Sequence, residues 1–257
     1  MELSNLARYP HLKDKVVFIT GGGSGIGAAI VECFLDQESK VAFADIDQEA
    51  SEKLCEALTA QYGRTPLFIS CDLKDIESLR AAIGRVGSEL GDITVLVNNA
   101  ANDQRHSWQD MTPEYWDERM ATNLRPSFFA IQAVAPQMKR RGGGAIVNFG
   151  SCSWKLAMGG MPAYTTAKAA MHGLTRSMAR ELGQDGVRVN TVVPGWVMTE
   201  RQLKLWVDDK AERTLNEVQC LKGRVKPVDL ARMVLFLASD DARMCTAQEF
   251  IVDGGWV

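Results

Sequence analysis

The stretch Thr20-Gly21-Gly22-Gly23-Ser24-Gly25-Ile26-Gly27 directly follows a β-branched and aromatic run at 16–20 and opens a helical pattern at 26–35. Glycines at this density allow positive φ and leave backbone amides uncovered, so the segment reads as a tight turn between a strand and a helix whose N-terminus faces an anion. Further strand-like runs follow at 41–45, 67–70, 93–98, 145–149, 187–193 and 249–252, with helical patterns between them at 48–60, 75–90, 113–139, 163–182 and 227–238. Regular alternation of this kind predicts right-handed crossovers and an α/β fold with a seven-stranded parallel sheet covered by helices on both faces. Several runs are apolar at successive positions, as strands buried on two sides should be. Ligands bind such sheets beyond the carboxyl ends of the strands, so chemistry is expected there.

No Pro/Ser-rich or charged linker interrupts the alternation across the 257 residues, which predicts one domain over 1–257, with a nucleotide half at about 15–150 and a catalytic and substrate half at about 151–257. The net charge of -3 and the dispersed Lys and Arg, densest at Lys139-Arg140-Arg141, give no footprint for nucleic acid. No apolar run is long enough for a membrane span, and the charged stretch from Met1 to Lys15 lacks the apolar block of a signal peptide, so a cytoplasmic protein is expected. Cys33, Cys55, Cys71, Cys152, Cys220 and Cys245 form no Cys-x-x-Cys pair and stand among mostly apolar neighbours, as reduced core thiols would. His11, His106 and His172 are scattered, so no metal is expected.

In the glycine turn, Gly21, Ser24, Gly25, Ile26 and Gly27 are the candidate contacts to a pyrophosphate. A Gly-Lys-Ser/Thr triplet is missing, which disfavours a P-loop. Asp45, at the end of the second strand, stands where an acid would accept hydrogen bonds from the adenosine ribose, next to Ile46. Asp47 better fits the cap of the following helix, leaving Asp45 free. A 2′-phosphate beside that carboxylate would be repelled and no Arg follows to offset it, so NAD is expected over NADP. Asp72, with Leu73, could hold the adenine amino group, or Asp72 could cap the helix beginning near Asp75.

Tyr164 and Lys168 stand four apart in a helical stretch and share a face. Such spacing is common on surface helices, but here it follows the glycine turn, Asn98-Asn99-Ala100 and Gly150-Ser151, and precedes Arg188-Val189-Asn190, Pro194-Gly195 and the closing Val252-Asp253-Gly254-Gly255. In this order the motifs resemble the short-chain dehydrogenase/reductase family over nearly the whole chain. The resemblance implies a Rossmann fold and a catalytic tetrad of Asn123, Ser151, Tyr164 and Lys168. The resemblance selects Ser151 over Ser153, because the family serine stands thirteen residues before the tyrosine, and leaves Ser153 to face the substrate. It also gives Asn99, Pro194, Val197 and Thr199, together with Tyr164 and Lys168, to the cofactor. Two departures are visible: Ala101 where the family usually has Gly, and Gly150 where Ser is common. In the implied chemistry Tyr164 takes a hydroxyl proton, Ser151 bonds the same oxygen, and Asn123 holds a water in a proton relay. An ordinary phenol is a poor base at pH 7, so the charges of Lys168 and of oxidised nicotinamide are expected to favour phenolate.

Several stretches further resemble bacterial NAD-dependent aldose 1-dehydrogenases of the xylose type: Asn98 with the loop to His106, Tyr115-Trp116-Asp117-Glu118-Arg119, Gly150-Ser151-Cys152-Ser153-Trp154, Gln219-Cys220-Leu221-Lys222-Gly223-Arg224 and the final Gly255-Trp256-Val257. That implies oxidation of a pentose or 6-deoxyhexose at C1 to the aldonolactone. Independently, Asn102, Asp103, Gln104, Arg105 and His106 offer dense hydrogen bonding for a polyol, and Trp154, Trp196 and Trp206 could supply flat faces for a sugar. Substrate contacts are expected from Ser151, Ser153, Tyr164, Asn102, Gln104, Arg105, Trp154 and Gln202, with Arg201 and Gln202 opening a lid to about Leu221. Alternatives are a dehydrogenase of a 2-keto-3-deoxy sugar acid or another secondary alcohol, a 3-oxoacyl-type keto reductase, and a nucleotide-binding regulatory protein. The apolar C-terminus suggests burial against another subunit, and the resemblance implies a homotetramer.

Overall fold

The computed structural model describes residues 7–257; the start of the charged stretch from Met1 to Lys15 lies outside them. Strands β1 (Val16–Thr20), β2 (Lys40–Asp45), β3 (Leu67–Ser70), β4 (Val95–Asn98), β5 (Gly144–Phe149), β6 (Val187–Pro194) and β7 (Glu249–Val252) form one parallel sheet in the order β3-β2-β1-β4-β5-β6-β7. Strand β1 is buried throughout, and its period of two divides it between two cores: Val17 and Ile19 face one, Val16 and Phe18 the other. Helices α1 (Gly25–Asp36) and α9 (Pro227–Ala238) pack on the first face, with α2 (Gln48–Tyr62) contributing Leu58. Helices α3 (Ile76–Glu89), α5 (Arg125–Arg140) and α6 (Pro162–Leu182) cover the second. The order in which strands are added reverses between β1 and β4, which opens a crevice at their carboxyl ends.

The expected helix over 113–139 is two helices, α4 (Pro113–Asn123) and α5, broken at Leu124, whose φ is -133° and ψ -55°. Pro126 explains the break, because its ring would meet the carbonyl of Thr122 and it has no N–H to donate. The break leaves Asn123 at the end of α4, within reach of the loop after β4. The lid is also more ordered than a loop: α7 (Glu200–Leu205) is capped by Thr199, whose hydroxyl accepts from Gln202 N, and α8 (Asp209–Val218) by Asp208, which accepts from Ala211 N.

The C-terminal backbone is also ordered within the chain. The Asp253 carboxylate accepts from the backbone N–H groups of Gly255 (2.7 Å) and Val257 (2.8 Å), and Gly254 and Gly255 carbonyls accept from Leu221 and Cys220. The apolar tail is therefore fastened within its own chain. All six cysteines are free, but Cys220 is exposed and Cys55 and Cys245 half-buried, so only Cys33, Cys71 and Cys152 are core thiols. Among the described residues no helix is long and apolar enough to cross a membrane, and no group of His, Cys, Asp and Glu has the arrangement of a metal site.

Candidate active site

A cleft of about 1250 Å³ runs across the carboxyl ends of the strands, and every residue assigned above to the cofactor lines it, from Gly21 to Thr199. Its floor is a turn that tolerates no side chains. Gly21 and Gly25 have φ of +69° and +55°, and a Cβ on Gly27 would sit 1.8 Å from the Gly21 carbonyl oxygen. The Ser24 side chain makes no cap bond and α1 has no acidic residue in its first turn, so the amides at the start of this twelve-residue helix remain available to a phosphate. Asn99 fixes the turn from the neighbouring strand, donating from Nδ2 to the carbonyls of Thr20 (3.1 Å) and Gly21 (2.9 Å).

Asp45 is held in place by two backbone donors, Gly23 N to Oδ2 (2.8 Å) and Asp47 N to Oδ1 (3.0 Å), while Asp47 caps α2 as expected. Each oxygen keeps acceptor capacity toward the cleft. For Asp72, the cap of α3 is Asp75, which accepts from Glu77 and Ser78; Asp72 accepts from Lys74 N and lines the cleft. A hollow of bare amides at one end and a fixed carboxylate at the other matches the donor set a dinucleotide requires.

At the other end stand Ser151, Tyr164 and Lys168. Their supports form a buried polar ladder: Asn98 Nδ2 donates to Asn148 Oδ1 (2.9 Å), Asn148 Nδ2 to Thr175 Oγ1 (2.9 Å), and Thr175 pairs with Thr191 (2.7 Å). The ladder fixes α6 against β4, β5 and β6. Lys168, 3% exposed, donates from Nζ to the Phe149 carbonyl (2.8 Å) and lies 5.9 Å from the Tyr164 ring centre. Burial pushes its ammonium down to about 8. In the protein alone, burial raises the Tyr164 phenol above its ordinary value, Asp103 adds to the rise, and the neighbouring Ser151 hydroxyl and the Arg105 charge pull against it. Burial alone thus opposes the phenolate, and a positive charge brought by a bound cofactor would favour it.

Asn123 is buried below the cleft. Its Oδ1 accepts from Asn102 N (2.8 Å) and its Nδ2 donates to the Arg119 carbonyl (3.0 Å), so it anchors the loop after β4. Burial pushes the thiol of Cys152, beside Ser151, up to about 12, which disfavours the thiolate at neutral pH.

The substrate end brings together Asn102, Arg105, Ser151, Ser153, Tyr164 and Gln202. Ser153 is 2% exposed, lines the cleft, and its hydroxyl has no hydrogen-bond partner among the described residues. Two expected contacts are corrected. Gln104 is exposed and outside the cleft, its backbone N–H turned to Asn102 Oδ1 (2.9 Å), because that short turn points the side chain to solvent. Trp154 also faces away, its indole N–H donating to His172 Nε2 (3.1 Å). Of the other tryptophans, Trp196 lines the cleft and Trp206 packs beneath Arg105, 5.2 Å from guanidinium to ring centre.

Asp103, one of the loop's polar residues, is engaged across the cleft. It receives Gln202 Nε2 (2.7 Å) and Arg201 Nη2 (3.2 Å) from α7, and Trp196 Nε1 donates to Gln202 Oε1 (2.9 Å). The lid is latched to the loop after β4 through this carboxylate.

The family model described as enoyl-(acyl carrier protein) reductase matches residues 21–257. The chain is 50% identical to the probable galactose dehydrogenase GalD of Rhizobium meliloti over 97% of both chains. It is 52% identical to the D-xylose 1-dehydrogenase of Caulobacter vibrioides, over 97% of this chain and 98% of that protein. Among solved structures, a blue fluorescent protein from a metagenomic library, in complex with NADPH, superposes with a TM-score of 0.87 at 34% identity, over 96% of this chain and 99% of that one. Fold, cleft and relatedness along almost the full length agree, and the chain belongs to the short-chain dehydrogenase/reductase family.

Proposed function

We propose that the protein oxidises an aldose, a pentose or a 6-deoxyhexose or hexose, at C1 to the aldonolactone with NAD as acceptor. The observation that carries this reading is the unpartnered, buried Ser153 hydroxyl beside Ser151 and Tyr164, in a cleft end walled by Asn102, Asp103, Arg105 and Gln202. An acyl or steroid ketone would leave the Ser153 hydroxyl unpaired against a polar wall, whereas a sugar has hydroxyls to meet it. The two sugar dehydrogenases at 50% and 52% identity support the same class.

In this mechanism Tyr164 accepts the proton of the anomeric hydroxyl while Ser151 donates a hydrogen bond to the same oxygen. Bound NAD would supply the hydride acceptor at the adjacent carbon and a positive ring that favours the phenolate. Lys168 adds a second cation, held by Phe149 at the base of the phenol. Asn123 fixes the loop that presents Asn102, and α7 closes over the sugar through Asp103. Alpha helices α4 and α5, with half-exposed Trp116 and Phe128 on their outer faces, would supply the contacts of a homotetramer.

The test is NADH formation across D-xylose, D-galactose, L-arabinose, L-fucose and D-glucose; no oxidation of any free sugar while NAD binds would overturn the reading. NAD preference rests on Asp45, whose charge opposes a 2′-phosphate by roughly 1–4 kcal/mol at about 4 Å. Lys53, the nearest lysine on α2 lining the cleft, is already paired with Glu49 at 2.5 Å. Asp45→Ala is expected to lower the NAD over NADP ratio of kcat/KM by about tenfold or more, the equivalent of 1.4 kcal/mol; an unchanged ratio would place discrimination elsewhere.

Asp103→Asn separates the electrostatic from the mechanical part of the site. The Asp103 charge raises the Tyr164 phenol, so its removal favours phenolate and is expected to move the rising, alkaline-directed limb of log kcat to lower pH. Weakening the bonds to Arg201 and Gln202 is expected to raise the KM for sugar in the same variant. A pH profile and a KM identical to wild type would remove Asp103 from both roles.

A further inference from the structure

Trp154, Lys155, His172 and Glu249 form a cluster behind the cleft that the chemistry above does not use. His172 stands on α6 one turn beyond Lys168 and two beyond Tyr164, and is 8% exposed. Its Nε2 accepts from Trp154 Nε1 at 3.1 Å, with the rings edge to face at 5.1 Å, and its Nδ1 lies 2.5 Å from Glu249 Oε1 on β7. Lys155 Nζ closes the group, 2.8 Å from Glu249 Oε2 and 4.4 Å from the Trp154 ring centre. An indole N–H can only donate, so Nε2 must carry a lone pair and the proton of the neutral ring is on Nδ1, facing Glu249. Doubly protonated imidazole could not accept from Trp154.

The ring also touches the turn that carries Ser151. A Cβ on Gly150 would stand 2.9 Å from His172 Nε2, which accounts physically for glycine where serine is common. Trp154 belongs to the same turn, in which Ser153 N donates to Ser151 Oγ (3.2 Å) and Leu156 N to the Cys152 carbonyl (3.0 Å). We infer that neutral His172 is a positioning residue: by holding Trp154 and Glu249 across α6 it fixes the Ser151 hydroxyl relative to Tyr164, and its protonation releases that clamp. The inference rests on the reading of Ser151 and Tyr164 as the reacting pair.

The charged groups facing the ring are Glu249 from β7, Lys155 from the turn after β5, Lys168 from α6, and Arg176, also from α6, which shares a small polar cavity with it. Burial lowers the imidazole below its ordinary value, the close Glu249 carboxylate opposes this, and Lys155 and Lys168 add to the lowering. Between the lowered value and about 6.5 the unfolded chain binds more protons than the folded one, so the clamp's contribution is complete above that window and lost as pH falls through it.

The decisive variant is His172→Gln, whose amide oxygen can accept from Trp154 and whose amide N–H can donate to Glu249, but which cannot titrate. Intrinsic tryptophan fluorescence of the full chain, and kcat and KM with NAD and whichever of D-xylose or D-galactose is oxidised, would be followed from roughly pH 5 to 8. Wild type is expected to show an acid-side step in fluorescence and in kcat, with KM for sugar little changed. In His172→Gln both steps should vanish while kcat at pH 8 stays within about threefold; Trp154→Phe should lose the fluorescence step. Persistence of either step in His172→Gln overturns the inference. Sugar turnover by Tyr164→Phe would instead overturn the reading of the reacting pair, and the fluorescence step would still decide whether the clamp exists.

Discussion

Tyr164→Phe is expected to lower kcat for sugar oxidation by roughly 10²–10⁴-fold, the usual worth of a positioned general base. The phenol lies beside Ser151 and on the Lys168 face of α6, and phenylalanine keeps its packing while removing the exchangeable proton. NAD binding should change by less than about tenfold, the value of one hydrogen bond. That split distinguishes chemistry from cofactor binding: a loss carried in cofactor affinity with kcat intact would remove Tyr164 from proton transfer. Because burial holds the phenol above its ordinary value, wild-type activity should climb with pH toward the alkaline side, and that rise should be missing from the residual rate of the variant. Stopped mixing of enzyme and NAD with sugar, reading absorbance at 340 nm, would give both quantities.

The same physics separates what the chain discloses in its sequence from what it does not. Period-two burial in β1 and the glycine turn are local, so strand, turn and helix could be placed from neighbouring residues alone. Asp45 and Asp47 were separable because a cap stands directly before its helix, and the structure keeps them apart in that way. The single helix over 113–139 failed at Pro126, a local signal outweighed by the apolar period on both sides of it. A similar signal, Thr199 three residues before Gln202, marks the start of α7 and was masked by the polar, short character of that helix. Trp154 was misplaced for a different reason. Its direction is set by His172 and Glu249, which stand 18 and 95 residues further along the chain, and no spacing in the sequence records that an indole will turn away from a sugar cleft toward them. Nor does local sequence register the partner of Asp103, since Arg201 and Gln202 lie 98 and 99 residues away. The same limit applies to the phenol. Sequence places Tyr164 beside Lys168, but burial depth, which raises the phenol and lowers the lysine, is a property of the assembled site.

Gly27→Ala sets the steric demand of the glycine turn against the ordinary benefit of alanine in a helix. In an unobstructed helix alanine is better than glycine by about 0.5–1 kcal/mol, because the unfolded chain loses less freedom. Gly84 on α3 is such a position: its added Cβ meets no heavy atom within 4 Å, and Gly84→Ala is expected to raise the melting temperature slightly. At Gly27 the same methyl would lie 1.8 Å from the Gly21 carbonyl oxygen and 2.8 Å from Asn99 Nδ2, both of them parts of the cradle, with backbone and not a flexible side-chain tip as the nearest obstacle. Relief requires α1 to withdraw from the turn, which breaks the Asn99 bonds to Thr20 and Gly21 and moves the helix N-terminus off the phosphate position. Overpacking of this kind costs about 1–3 kcal/mol, and displacement of the amides adds a loss specific to the cofactor. Gly27→Ala is therefore expected to melt lower than wild type and, in the fraction that folds, to bind NAD at least about tenfold more weakly, measured by calorimetry beside Gly84→Ala. Unchanged NAD affinity in a folded Gly27→Ala protein would mean that the dinucleotide does not rest on this turn, and with that the assignment of Gly21, Gly25 and Gly27 to its phosphates would fail.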